Sequence, residues 1–419
     1  MAFYYVCLFN IEYNSDNINL LIMANYIDNF KKLGFGLFVH FGLYSQIGMG
    51  EWYQSAYKVS SEQYQKLTKS FKVSTRWAKE LVTTAKKAGA KYICLTTRHH
   101  DGFSLFDTKG LSDFDAPHLI GRDLVKEFVD ECHKQDIIPF FYHTLLDWHN
   151  SDYQNDFPKY IDYLIKSVEI LCKEYSKIGG FWFDGYWDKP DADWQFDRLY
   201  KTIRKYQPEA IITNNTGLSA LGEVTDYEID CVTFERGKPF AVSSSDGKLR
   251  AGEVCDSLSD HWGYAKNDIC IKSIPHIIDE LIECRKYQVN LLLNVGPKEN
   301  GLLRPIEKDT LLELGKWTKR FLNVLNHAKK ADISSDIGTL FQDNDYYYLV
   351  ISNIPMTANE NVARKQNPLT VRLDTNKKII NAKYIGDNSK VIIKDNSIQI
   401  KPFDYGYSLY TRIIKFKLK

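Results

Sequence analysis

At 419 residues the chain exceeds what one ordinary hydrophobic core organises and suits a large domain with a small companion. Hydrophobic residues make up 44% and charged residues 26%, the balance of a globular protein. With 54 basic against 53 acidic residues the formal net charge is +1, which argues against a broad electrostatic footprint for nucleic acid or an anionic membrane surface.

The stretch Met1 to Ile22 has no basic leader region, and Glu12 and Asp16 interrupt its apolar run. No secretory signal is expected, and no run is long enough to span a bilayer. Residues 1–22 read as an N-terminal extension, with Met23 as an alternative start. The eight cysteines (Cys7, Cys94, Cys132, Cys172, Cys231, Cys255, Cys270, Cys284) are scattered without a C-x-x-C pair. Buried free thiols in a reducing compartment are therefore expected, and with them a cytoplasmic protein.

From about Phe35, short apolar strands alternate with amphipathic helices. Strands are expected at Gly36–His40, Tyr92–Thr97, Ile137–Tyr142, Phe181–Asp184, Ala210–Asn214, Cys231–Glu235 and Val289–Asn294, with a weaker one near Glu253. Helical patterns cover Ser74–Lys87, Arg122–Lys134, Pro158–Tyr175, Asp193–Tyr206, Ile274–Lys286 and Ile306–Lys329. In the third, Ile161, Leu164, Ile165, Val168 and Leu171 form an i, i+3, i+4, i+7 stripe. Trp77 and Trp317 fall on such stripes and read as core. This alternation calls for a parallel sheet with right-handed crossovers. Seven or eight units over some 300 residues suit a closed (β/α)8-like, TIM-type barrel. No glycine-rich phosphate loop follows any strand, which weakens a nucleotide-binding sheet.

After Lys330, Asn, Asp, Gly and Ser punctuate short runs at Tyr346–Ser352, Leu369–Leu373, Val391–Ile393, Ile398–Ile400 and Tyr407–Tyr410. A small C-terminal antiparallel β-sandwich is expected there, bracing or shielding the barrel. The expected division is an extension 1–22, a barrel 23–332 and a sandwich 333–419. Lys415–Lys419 reads as a solvated terminal strand or tail.

In a barrel, chemistry gathers where strands end. The first strand ends in His40, and its loop carries Glu51-Trp52-Tyr53. The second runs into Arg98-His99-His100-Asp101. The third gives Tyr142-His143, then Asp147-Trp148-His149. The fourth gives Trp182 and Asp184, and the sixth Thr233 and Glu235. A lone strand-end Asp is as readily a cap as a catalyst, but five such ends in one barrel should converge on one pocket. Paired carboxylates with histidines and aromatics fit glycoside hydrolysis, where one carboxylate attacks the anomeric carbon and the other moves the proton.

Four motifs carry a resemblance to a family. Phe35-Gly-Leu-Phe-Val-His-Phe-Gly-Leu-Tyr-Ser45 with Glu51-Trp-Tyr53, Thr97-Arg-His-His-Asp-Gly-Phe103, Gly180-Phe-Trp-Phe-Asp-Gly185 and Asn290-Leu-Leu-Leu-Asn-Val-Gly-Pro297 resemble, in order, the α-L-fucosidases of glycoside hydrolase family 29. The resemblance implies a retaining exo-α-L-fucosidase in which Asp184 is the nucleophile. His40, Glu51, His99 and His100 would bind fucose hydroxyls. Phe38, Tyr142, Trp182 and Trp262 would line the pocket, and Trp52 would border it. Neither metal nor organic cofactor is implied; the partner is an α-L-fucoside, with no nucleic acid or membrane, and homo-oligomerisation stays open.

In that family the general acid/base follows a Thr-Pro-Glu-like segment. Here Thr233-Phe234-Glu235 lacks the proline, and Glu253 is the rival. The strand-end position favours Glu235. An arginine carried by many members has no counterpart near Asn214-Asn215-Thr216. Two other readings remain. One is a metal-dependent barrel hydrolase using His40, His99, His100 and Asp101, although adjacent strand histidines should point to opposite sides. The other is a non-catalytic fucose-binding protein.

Overall fold

The structure, a computed structural model, describes residues 26–216, 218, 220–243, 246–357 and 367–419. The extension 1–22, Met23 and Cys7 lie outside them. Eight parallel strands close a barrel in chain order: β1 (Phe35–Val39), β2 (Tyr92–Arg98), β3 (Ile138–Thr144), β4 (Gly180–Asp184), β5 (Ile211–Asn214), β6 (Cys231–Thr233), β7 (Ala251–Ser257) and β8 (Asn290–Val295). β8 returns to β1 with Phe35 opposite Leu291. The expected barrel is present, and the weak eighth strand around Glu253 is β7.

The strands read as continuous apolar runs because both faces are buried. In β4, Phe181 and Phe183 join the cluster shared with the outer helices, whereas Trp182 joins the cluster filling the barrel interior. The same alternation sends Phe141 outward and Phe140 and Tyr142 inward along β3.

Long helices follow β1, β2, β3, β4, β7 and β8: α1 (Trp77–Ala88), α2 (Leu124–Lys134), α3 (Phe157–Glu174), α4 (Phe196–Tyr206), α5 (Ile274–Lys286) and α6 (Pro305–His327). Among the described residues only loops follow β5 and β6. Side chains of Asp123, Asp156 and Ser273 cap α2, α3 and α5 by accepting backbone N–H groups of the first turn. α6 stops short of the expected Lys329, because Lys329–Lys330 pairs with a later strand.

Two antiparallel sheets complete the chain. One has the order β13 (Ile379–Tyr384), β16 (Arg412–Leu418), β11 (Tyr346–Ile351), β10 (Thr339–Asp343), β9 (Lys329–Lys330); the other is β12 (Leu369–Arg372), β15 (Ser397–Ile400), β14 (Ile392–Lys394). Two readings need correction. Tyr407–Tyr410 is not a strand. The terminal stretch is a strand, as one of its two expected forms, but not a solvated one: β16 lies between β13 and β11, with Ile413, Ile414 and Phe416 buried. Its lysines disguise it: the Lys415 ammonium lies 3.6 Å from the centroid of the Tyr346 ring.

No helix among the described residues is long and apolar enough to cross a membrane. The described cysteines are all free; Cys94, Cys132, Cys172, Cys231, Cys255 and Cys284 are buried and Cys270 is exposed.

Candidate active site

At the C-terminal mouth of the barrel lies a cleft of about 140 Å³. Phe38, His40, His99, His100, Tyr142, Trp182, Asp184, Glu235 and Trp262 line it, with Trp52, Trp187 and Leu218 at its edge. Its volume is well below the roughly 300–1,000 Å³ of pockets for drug-sized ligands. One small ring fits such a space. A larger groove of about 520 Å³ opens at the opposite end of the barrel, beside Phe30, Ile138 and Phe140. Two of its charged groups, Lys177 and Glu209, are already an exposed ion pair at 2.6 Å, and no strand-end carboxylate reaches it.

Asp184 ends β4 and its side chain is 17% exposed, so it is reachable from the cleft. Gly185 follows with φ +99°, the left-handed turn that takes the chain away directly after the carboxylate. Three donors converge on Asp184: the Tyr142 hydroxyl at 3.0 Å on Oδ2, and Asn215 Nδ2 at 3.3 Å and Trp187 Nε1 at 3.4 Å on Oδ1. His100 Nε2 lies 3.5 Å from Oδ2. Every contact but the last is a clear donor to a carboxylate, which fixes the orientation of the group.

Glu235 faces Asp184 from the loop after β6, which ends at Thr233 rather than at Glu235 as expected. Asn215 bridges the two, with Nδ2 2.6 Å from Glu235 Oε2 and 3.3 Å from Asp184 Oδ1. Burial, and then the neighbouring Asp184, push the Glu235 carboxyl up to about 7. Burial is the larger cause. Glu253 does not line the cleft. It points into the barrel beneath it, receiving Trp182 Nε1 at 3.1 Å and the Tyr92 hydroxyl.

The cleft histidines are held neutral. Burial lowers His40 to about 4 and pushes His99 and His100 below the usual histidine range. Asn294 Nδ2 donates to Ser257 Oγ at 3.0 Å and the Trp262 carbonyl at 2.7 Å, so its Oδ1 accepts from His40 Nδ1 at 2.7 Å. This leaves His40 Nε2 as an acceptor. Neutral imidazoles suit hydroxyl-bearing ligands, donating or accepting as the ligand requires.

The expectation that His99 and His100 point apart fails. Both line the cleft, with ring centroids 4.2 Å apart. The reason is local: β2 ends at Arg98 and its register against β3 shifts between Thr96 and Arg98, so strand alternation no longer applies. Other strand-end residues turn away. His143 packs outward between Thr97 Oγ1 (2.9 Å) and Ser167 Oγ (3.0 Å). Asp147 receives the backbone N–H groups of His149 and Asn150. Asp101 accepts from Tyr64 at 2.7 Å. Glu51, expected to bind ligand, sits behind the cleft wall, where its Oε2 accepts the Gly263 N–H at 2.7 Å and holds the turn carrying Trp262.

Among the described residues, the group of side chains whose donor atoms come close enough to share a cation is Asp260, Asp268 and Cys270, on a loop outside the cleft. His40, His99, His100 and Asp101 do not form one. Three positions at the cleft escaped the sequence reading: Trp187, Leu218 and Asn215. Trp187 follows Asp184 by three residues and could have been found as the first tryptophan of that strand's loop. Leu218 and Asn215 carry no such signal, since their roles depend on how neighbouring loops approach.

Comparison with known proteins places these features. A family model described as alpha-L-fucosidase matches residues 10–322. The tissue alpha-L-fucosidase of Mus musculus is 30% identical over 328 residues, spanning 69% of this chain and 68% of that protein. The tissue alpha-L-fucosidase of Macaca fascicularis is 28% identical over 324 residues, and the chain spans 66% of its length. Among solved structures, alpha-L-fucosidase isoenzyme 1 from Paenibacillus thiaminolyticus superposes with a TM-score of 0.82 at 28% identity, over 95% of this chain and all of that one.

Proposed function

Because the chain belongs to the α-L-fucosidase family, we propose that it is a retaining exo-α-L-fucosidase in which Asp184 is the nucleophile and Glu235 the general acid and base. The observation that carries this reading is the Asp184–Glu235 pair facing each other across a one-ring cleft. Asn215 Nδ2 reaches both carboxylates, at 3.3 and 2.6 Å, which holds the two groups within the span of one amide nitrogen. Such closeness suits the roughly 5–5.5 Å carboxyl spacing of a retaining pair.

In the first step Asp184 attacks the anomeric carbon and the bond to the leaving oxygen breaks. That oxygen takes the proton of Glu235, which burial and Asp184 keep protonated to about pH 7. A covalent fucosyl-enzyme results, and the Asp184 charge is lost. Glu235 is then ionised and draws a proton from water, which attacks the same carbon and releases Asp184. Two displacements return the starting anomeric configuration. His40, His99 and His100 bind ring hydroxyls, while Phe38, Tyr142, Trp182 and Trp262 enclose the apolar faces of the ring. Glu51 acts by positioning Trp262.

Asp184→Gly with an activated aryl α-L-fucoside tests the assignment. Hydrolysis is expected to collapse and to be rescued by azide, yielding β-fucosyl azide. Undiminished hydrolysis in the variant would remove Asp184 from the reaction.

A further inference from the structure

We propose that Asn215 is a positioning residue that couples the two carboxylates and dictates which oxygen of Glu235 carries the transferable proton. The inference rests on the roles given above to Asp184 and Glu235. Asn215 lies just beyond β5 and is 1% exposed. Its single Nδ2 reaches Glu235 Oε2 at 2.6 Å and Asp184 Oδ1 at 3.3 Å. An amide nitrogen carries two N–H bonds, enough for one to each carboxylate.

The orientation of this amide is fixed from behind. The Thr233 hydroxyl donates to Asn215 Oδ1 at 2.9 Å, and the Asn215 backbone N–H donates to the Phe183 carbonyl at 2.9 Å. One anchor belongs to β6 and the other to β4, so the donors are aimed by the two strands that lead to the carboxylates themselves.

Two consequences follow for the chemistry. With Oε2 occupied as an acceptor, a proton on Glu235 sits on Oε1, the oxygen left to meet a leaving group. A donor to Oε2 also favours ionised Glu235 over the protonated form. The charged groups around Glu235 divide: Asp184 and Asp256 oppose ionisation and Arg236 favours it, while Tyr142 and Cys255 stay neutral. When glycosylation removes the Asp184 charge, Asn215 remains and supports the carboxylate that must deprotonate water. One contact thereby limits the acid in the first step and sustains the base in the second.

The test is the pH dependence of kcat/KM for Asn215→Ala and Thr233→Val, each with an aryl α-L-fucoside and with methyl α-L-fucoside, whose leaving group needs protonation. For Asn215→Ala the alkaline limb is expected to move to higher pH. Loss on the methyl fucoside should be about 100-fold or more, and on the aryl fucoside about tenfold. Thr233→Val, which frees the amide without removing it, should move the limb the same way by less. An unmoved limb with equal losses on both substrates would make Asn215 a packing residue and overturn the inference. If Asn215→Ala fails to fold by circular dichroism, an unmoved limb in Thr233→Val overturns it equally. A wild-type chain inert towards both substrates would instead overturn the fucosidase reading and this inference together.

Discussion

Buried Glu253 and half-buried Glu235 are both carboxyls raised to about 7, yet their surroundings give them different work. Glu235 faces the cleft and Asp184; Glu253 is enclosed by Tyr92 and Trp182 beneath it. Burial is the largest cause for each, so protonation is favoured in the folded state and the folded pKa lies above the ordinary glutamate value of 4.5. The stability each contributes is full below about 4.5 and is lost as pH rises through about 7. For fully buried Glu253 that loss is on the order of 3 kcal/mol. Glu253→Gln keeps an acceptor for Trp182 and a partner for Tyr92 but cannot titrate. Its urea-unfolding free energy is expected to fall less between pH 5 and pH 8 than that of the wild type, while the alkaline limb of kcat/KM stays near pH 7. A displaced limb would give Glu253 the acid role; an unchanged stability slope would show that it does not titrate in this range. In the sequence the strand-end position alone favours Glu235 over Glu253. The register adds that Glu253 stands opposite Thr233 and is directed inward between Ala251 and Cys255.

At the scale of elements, β4 carries Asp184 and shows why much of the barrel was legible. Phe181-Trp182-Phe183 is bulky on both faces, and only a doubly buried strand accepts that pattern. β7 was faint for the opposite reason: Ala251, Gly252 and Cys255 are small, and a Cβ on Gly252 would come 2.8 Å from Val242 and 2.9 Å from Val289. Gly180 is the corresponding close approach in β4. An added Cβ there would stand 2.3 Å from the Ile211 carbonyl oxygen of the adjoining strand. Backbone cannot yield as a side-chain tip can, so Gly180→Ala should spread β4 from β5 and cost about 1–3 kcal/mol or more. Because Trp182 and Asp184 ride on the same strand, kcat/KM is expected to fall beyond what partial unfolding explains. Wild-type midpoint and activity together would show that the ladder absorbs the methyl group. What the residues could not reveal lies between elements. The Asn215 bridge requires the loops after β5 and β6 to meet, and the paired orientation of His99 and His100 requires the register shift at the end of β2.

In the whole molecule, the C-terminal sheet is shared between two cores. Along β11, Tyr348 and Val350 join the barrel cluster while Leu349 and Ile351 join the sandwich cluster. In β16, Ile413 and Ile414 divide the same way. Strand alternation therefore glues the sandwich to α6 on one face and to its own second sheet on the other. A specific polar tie sits in this apolar seam: Trp317 Nε1 on α6 donates to Thr411 Oγ1 at 2.7 Å, with both residues buried. At the edge, the Tyr410 hydroxyl donates to Asp279 of α5 at 2.5 Å. Sharing of this kind couples the stability of the two parts, so one cooperative transition is expected rather than two. Thr411→Val preserves shape but leaves the Trp317 N–H buried without an acceptor, a cost of about 1–3 kcal/mol. The variant should lower the thermal midpoint seen by near-ultraviolet circular dichroism and the midpoint of inactivation towards an aryl α-L-fucoside together. Two separated transitions, with activity surviving the first, would mean that the sandwich is an independent appendage; coincident shifts would mean that it braces the barrel wall behind the cleft.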